Sequence, residues 1–160
     1  MSLPLSLHRL LLTVFLITVT LSGCANPQVK VLQAIDGDTL RVFLDGKIEK
    51  IRIIGIDTPE TKDPRKPVQC YGPEASEQMH HLVDGKLVAL EPQPHQDRDK
   101  YGRLLRYVSM SGADLGALMI SEGFAHSYKP FPHPRMKEYN QLESTARKNG
   151  LGLWSACKKK

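Results

Sequence analysis

Two Asp-Gly pairs, Asp36-Gly37 and Asp45-Gly46, cut the first third of the chain into short β-branched and aliphatic runs over 29–34, 39–44 and 48–56. Asp-Gly is a strong hairpin signal, because the two-residue turn that matches the right-handed twist of paired strands needs positive φ at both central positions. Three consecutive antiparallel strands are therefore expected. Gly72-Pro73-Glu74 then opens a helix to about residue 83, with Pro at an early helical position and acid in the first turn. Asp84-Gly85 ends it. Residues 86–91 and 103–110 read as two more strands, and 114–122 as a second helix capped by Asp114 and closed by Gly123. A third helix is expected over 135–148, stopping at Asn149-Gly150.

Five short strands with helices after the third and fifth predict an α+β fold, a five-stranded Greek-key barrel with three helices, of the oligonucleotide-binding (OB) type. There is no internal repeat and no long linker. The irregular stretches 61–70 and 129–134 are rich in Pro and basic residues, so each is either a substrate-facing loop or an ordinary turn stiffened by Pro.

Before this domain, residues 3–20 are apolar apart from His8 and Arg9, and Leu21-Ser22-Gly23-Cys24 follows. That is the layout of a secretory signal. The last four residues resemble a bacterial lipobox, in which the Cys is acylated and becomes the new N-terminus. Division into a signal peptide (1–23), a lipidated tether (24–28), a folded domain (29–157) and a basic tail (158–160) follows. Simple secretion and a retained membrane helix are the alternatives, although spanning about 30 Å of hydrocarbon takes about 20 residues and this stretch is marginal.

Assigning Cys24 to lipid leaves Cys70 and Cys157 as an even pair in an oxidising compartment. A bridge between them would close a loop of roughly 90 residues and contribute about 4 kcal/mol in the chain-entropy model. Two unrelated thiols remain the alternative. The formal net charge of +5 is compatible with a polyanionic partner without demanding one. Lys158-Lys159-Lys160 reads as a solvated tail.

The chemistry lies in three segments: Asp36-Gly37-Asp38-Thr39, Arg52-Ile53-Ile54-Gly55-Ile56-Asp57-Thr58-Pro59-Glu60 and Asp99-Lys100-Tyr101-Gly102-Arg103. Carboxylates can hold a hard cation and guanidinium forks can hold a phosphate, and both are what hydrolysis of a phosphodiester requires. Neighbouring antiparallel strands bring Asp38 and Asp57 to one spot, while Asp36 reads as a turn residue. Strict alternation would put Arg52 and Asp57 on opposite strand faces, so a bend near Gly55 is expected to reconcile them.

These segments, with Lys62, Tyr71-Gly72-Pro73-Glu74-Ala75, Gly123-Phe124-Ala125, Tyr128-Lys129-Pro130 and Gly152-Leu153-Trp154-Ser155, resemble the staphylococcal nuclease (thermonuclease) family over nearly all of the chain after its N-terminal segment. The resemblance implies a Ca²⁺-dependent nuclease that cleaves DNA and RNA at the bond to the 5′ oxygen, leaving 3′-phosphates. It implies Ca²⁺ held by Asp38, Asp57 and the carbonyl of Thr58, and water oriented by Glu60. Arg52 and Arg103 would bind phosphate, and Lys66, Lys100, Tyr101 and Tyr128 would contact the substrate. His126 stands where the best-known member carries a second nucleotide-contacting tyrosine. The whole reading is a monomeric, lipid-anchored nuclease in the bacterial cell envelope, outside the cytoplasmic membrane. A non-catalytic strand-binding module on the same fold is the rival.

Overall fold

The structure is a computed structural model that describes residues 27–65 and 67–157. The expected signal peptide, the expected lipidation site Cys24, Lys66 and the tail 158–160 lie outside them. Strands β1 (Gln28–Ala34), β2 (Thr39–Leu44) and β3 (Lys47–Ile53) form an antiparallel meander. Asp45 and Gly46 sit at φ 50° and 79° between Leu44 and Lys47, the two-residue hairpin that the sequence predicts. Asp36-Gly37 behaves differently. Ala34 pairs with Leu40 across five residues, within which Asp36 Oδ1 accepts from the Asp38 amide at 3.0 Å. This is an Asx turn in place of a tight hairpin.

The run 48–56 does not stay one strand. It stops at Ile53, turns through Ile54-Gly55 and resumes as the two-residue β4 (Ile56–Asp57). Gly55 has φ 79°, and a Cβ there would stand 2.4 Å from the His133 ring, so the bend needs glycine on both counts.

Helix α1 (Gly72–Val83) leads to β5 (Leu87–Pro92) and β6 (Leu104–Met110). After them come a short β7 (Ala113–Asp114), α2 (Leu115–Ser121), β8 (His126–Ser127), which pairs with β4, and α3 (Met136–Lys148). Asp114 caps α2 by accepting from the Ala117 amide. A fourth helix, α4 (Leu153–Ala156), adds to the three expected. No helix among the described residues is long and apolar enough to cross a membrane.

The order β3-β2-β1-β5-β6 closes on itself through a parallel β3–β6 pairing, Ile51 with Leu104 and Arg52 with Leu105, giving the five-stranded barrel. Val31, Leu40, Val42, Ile51, Ile53, Val88 and Val108 fill it, all buried. Met79 and Val83 of α1 and Met119 and Ile120 of α2 extend this core outside the barrel. Closure also fixes the site. Thr39 pairs with Arg52, and Arg52 with Leu105, so the start of β2, the end of β3 and the start of β6 meet at one mouth.

Candidate active site

That mouth is a cleft of about 570 Å³ lined by Asp36, Asp38, Arg52, Asp57, Thr58, Glu60, Lys100, Tyr101, Arg103 and Tyr128. Every described catalytic, metal and substrate residue expected from the sequence therefore faces one space.

Asp38, at the end of the Asx-turn loop, is buried. Its Oδ2 accepts from the Thr58 amide at 3.1 Å and the Thr58 hydroxyl at 3.3 Å, and Oδ1 from the Thr39 hydroxyl at 3.0 Å. Asp57 stands beyond the Gly55 bend with a half-exposed side chain. The bend is held by Arg52, whose Nη1 donates to the carbonyls of Ile53 (2.7 Å) and Ile56 (2.8 Å). With its back fixed in this way, the guanidinium presents Nη2 to Asp38 Oδ2 at 3.3 Å and Asp57 Oδ1 at 3.4 Å. The alternation conflict is thus resolved by the arginine itself: it satisfies the carbonyls that the turn frees.

Arg103 is fixed in the same style by Asp99. Asp99 Oδ2 accepts from Arg103 Nε at 2.7 Å, Oδ1 accepts from the Arg103 amide at 3.0 Å, and Arg103 Nη1 reaches the Thr39 hydroxyl at 3.3 Å. Burial opposes ionisation of Asp99, but the bonds from Arg103 and Tyr101 win and hold its carboxyl below the ordinary range. Among the described residues, Arg103 Nη2 has no hydrogen-bond partner, which leaves it available to an anion. Asp99 opens one of the three sequence segments but has no role of its own there. Its signal is the four-residue spacing to Arg103.

Glu60 is anchored by one oxygen. Its Oε1 accepts from the amides of Thr61 (2.9 Å), Lys62 (2.7 Å) and Asp63 (3.0 Å), while Oε2 has no hydrogen-bond partner among the described residues. A carboxylate fixed at one oxygen and open at the other is suited to orienting a water.

At the rim, Tyr101 is 70% exposed, with Lys100 Nζ 5.1 Å and Arg103 Cζ 5.5 Å from its ring centroid. Tyr128 lies 5.8 Å from Arg52 Cζ and beside Phe131. Of the loop 129–134, Lys129 turns away to Glu143, whereas Phe131 and His133 line the cleft. His133 accepts or donates at 2.9 Å with the Tyr107 hydroxyl, and burial with Arg135 nearby lowers its pKa. His126 does not line the cleft; its ring meets Trp154 edge-on at 4.9 Å.

Two carboxylates and nearby carbonyls are an all-oxygen donor set for a hard cation. Among the described residues no group of three or more His, Cys, Asp or Glu could hold a metal, so such a cation would complete its shell with carbonyls and water. The electrostatics fit that role. Burial and the Asp38 charge push the Asp36 carboxyl up to about 6 and also raise Asp57, with Arg52 pulling both back. The cluster carries more negative charge than Arg52 offsets.

A carboxyl raised above its ordinary 3.8 binds its proton more tightly folded than unfolded, so its contribution to stability is present at acid pH and lost as pH rises through about 6. A cation bound only by the native state restores it. We expect Ca²⁺ to raise the melting temperature more at pH 8 than at pH 5, and Asp36→Asn to flatten the stability profile between pH 4 and 7. Parallel profiles for parent and variant in thermal melts would contradict this.

Residues 50–156 match the family described as Staphylococcal nuclease homologue. Endonuclease YncB of Bacillus subtilis (strain 168) is 39% identical over 125 residues, which are 77% of this chain and 59% of that protein. The SPbeta prophage-derived endonuclease YokF of the same organism is 38% identical over 125 residues, 77% of this chain and 42% of its own length. The chain thus spans about half the length of these two relatives. Thermonuclease of Staphylococcus hyicus is 38% identical over 136 residues, covering 84% of this chain and 80% of the relative.

Proposed function

This chain belongs to the staphylococcal nuclease family, and on that footing we propose that it is a Ca²⁺-dependent nuclease that hydrolyses phosphodiester bonds in DNA and RNA. The observation that carries the reading is the convergence of Asp38, Asp57 and Glu60 with two separately braced arginines in one cleft. A module that only bound strands would gain from the arginines and aromatic rings and lose from the carboxylates, which repel phosphate.

Asp38, Asp57 and the carbonyl of Thr58 would hold Ca²⁺, which when bound neutralises phosphate charge and acidifies water. Glu60 orients the attacking water and accepts its proton through the open Oε2. Arg52 and Arg103 meet the non-bridging oxygens, where negative charge grows as phosphorus becomes five-coordinate. Both forks are positioned before substrate arrives, so little reorganisation is left for the reaction. Lys100, Tyr101 and Tyr128 receive the strand at the rim, and Lys66 is expected to contact the substrate by resemblance to the family.

The family resemblance supports loss of the 5′ oxygen and a 3′-phosphate on the product. Cleavage of a labelled strand in ¹⁸O-water should therefore place one ¹⁸O on the 3′-phosphate fragment and leave a 5′-hydroxyl on the other. Terminal 5′-phosphates, or a 3′-phosphate without label, would overturn the reading.

The protein works as a monomer on this account, since one chain supplies every group in the cleft. Export and acylation at Cys24 would tether it in the cell envelope, outside the cytoplasmic membrane. In sequence Cys24 precedes the strand β1 (Gln28–Ala34), whose far end leads into the loop that carries Asp36 and Asp38.

A further inference from the structure

We propose that Gln69, fixed from behind by the Cys70–Cys157 disulfide, is a positioning residue for Glu60, so that turnover depends on the redox state of that bridge. The inference rests on the reading of Glu60 as the group that orients water. Glu60 and Gln69 stand at the two ends of the irregular loop 61–68 and close it with a reciprocal pair of hydrogen bonds. The Glu60 amide donates to Gln69 Oε1 at 2.8 Å, and the Gln69 amide donates to the Glu60 carbonyl at 2.9 Å. Inside this ring the amides of Thr61, Lys62 and Asp63 converge on Glu60 Oε1. The Glu60 backbone therefore owes its place to Gln69, and its carboxylate to the turn that the ring closes.

Gln69 is exposed and has no core packing of its own to hold it. Two neighbours do so. The Gly72 amide, at the start of α1, donates to the Gln69 carbonyl at 3.0 Å. Cys70 is joined to Cys157 across 87 positions of sequence. Cys157 follows α4, and its amide bonds the Leu153 carbonyl at 3.0 Å, while the Leu153 amide bonds the Gly123 carbonyl at 2.9 Å. Gly123 lies two residues past α2, whose Met119 and Ile120 are fully buried. A continuous path thus runs from the core through the disulfide to the base of the Glu60 loop. Asp38, Asp57 and Arg52 are held by other bonds, from Thr58, Thr39 and the Gly55 bend.

Cys70 is exposed, so a dithiol can reach the bridge. The reductant supplies two electrons and two protons; the S–S bond breaks, two thiols form, and the reductant closes its own disulfide. Gln69 is then left to its hydrogen bonds, and Glu60 spends less time in the reactive position. Cation and strand binding, which use the separately held residues, stay as they were.

The test uses the full chain as parent, Gln69→Leu and Gln69→Glu, each oxidised and reduced with dithiothreitol. Single-turnover cleavage and amide hydrogen exchange at Glu60 are read together. Gln69→Leu should slow kcat by roughly fivefold to tenfold, the worth of one hydrogen bond near 1 kcal/mol. KM and the half-saturating Ca²⁺ should not change, and exchange at the Glu60 amide should quicken to a similar degree. Gln69→Glu retains an oxygen acceptor and should keep the slow exchange of the parent. Reduction should slow the parent but add little to Gln69→Leu, because both act through one strap. Unchanged Glu60 exchange in Gln69→Leu and in the reduced parent would overturn the proposal. So would reduction slowing parent and Gln69→Leu by the same factor, which would mean the bridge acts only on overall stability. If the parent does not cleave, the nuclease reading falls, and amide exchange alone still decides the strap.

Discussion

Glu60→Gln should lower turnover by at least about a hundredfold, within the usual worth of general-base catalysis, with strand affinity kept or slightly raised. The substitution is close to isosteric where it matters structurally. A glutamine carbonyl oxygen can still accept from the amides of Thr61, Lys62 and Asp63, so the loop keeps its turn. What disappears is the charge at the second oxygen, the one open to the cleft. Removing a negative charge from a phosphate-facing surface also lessens repulsion of the strand, hence the small gain in affinity. Gln69 still clamps the Glu60 backbone, so the variant should melt close to the parent. A variant that cuts as fast as the parent would reduce Glu60 to the organiser of its loop.

Arg103→Lys is expected to cost about as much, a hundredfold or more, since removal of one donor to a developing oxyanion typically costs about 10²–10³ in kcat. Arg103 meets Asp99 through Nε and Thr39 through Nη1 while keeping Nη2 for an anion. An ammonium cannot serve three directions from a rigid plane: lysine either stays with Asp99 or reaches phosphate from an unbraced stem. The half-saturating Ca²⁺ should be largely unchanged, because among the described residues no direct hydrogen bond or ion pair joins Arg103 to Asp38 or Asp57, and its link to Asp38 runs through the Thr39 hydroxyl. The prediction fails if kcat is retained or if the loss appears only in Ca²⁺ affinity.

What could be read from the sequence was local. Asp45-Gly46 fixes its hairpin because both residues take positive φ in the turn itself, and Asp114 caps α2 with the amide three residues on. The Asp36-Gly37 pair misled because the same dipeptide serves an Asx turn once the pairing of Ala34 with Leu40 leaves five residues to bridge. In the run 48–56 the alternation conflict between Arg52 and Asp57 marks a bend near Gly55, but the apolar second half does not show that the strand already ends at Ile53. That break follows from Gly55 lying against His133 and from Arg52 bonding the freed carbonyls. The parallel closure of β3 on β6 joins segments some fifty positions apart and has no sequence signature of its own.

The site divides in the same way. The residues with chemistry to perform stand in short motifs and are recognisable there. Those that hold them in place, Asp99 for Arg103 and Gln69 for Glu60, are ordinary polar residues whose roles exist only through contacts. Cys70 and Cys157 were legible as an even pair. Their place behind the Glu60 loop was not.

The most direct measurement is cleavage of labelled single- and double-stranded DNA and RNA by the full chain, with Ca²⁺ and then with a chelator in excess. The account predicts cleavage with Ca²⁺, none with chelator, and recovery when Ca²⁺ is restored, with Mg²⁺ a poor substitute because it demands tighter octahedral geometry. Cleavage undiminished by chelator would contradict the metal role of Asp38 and Asp57, and strands bound but never cut under any cation would contradict the enzyme.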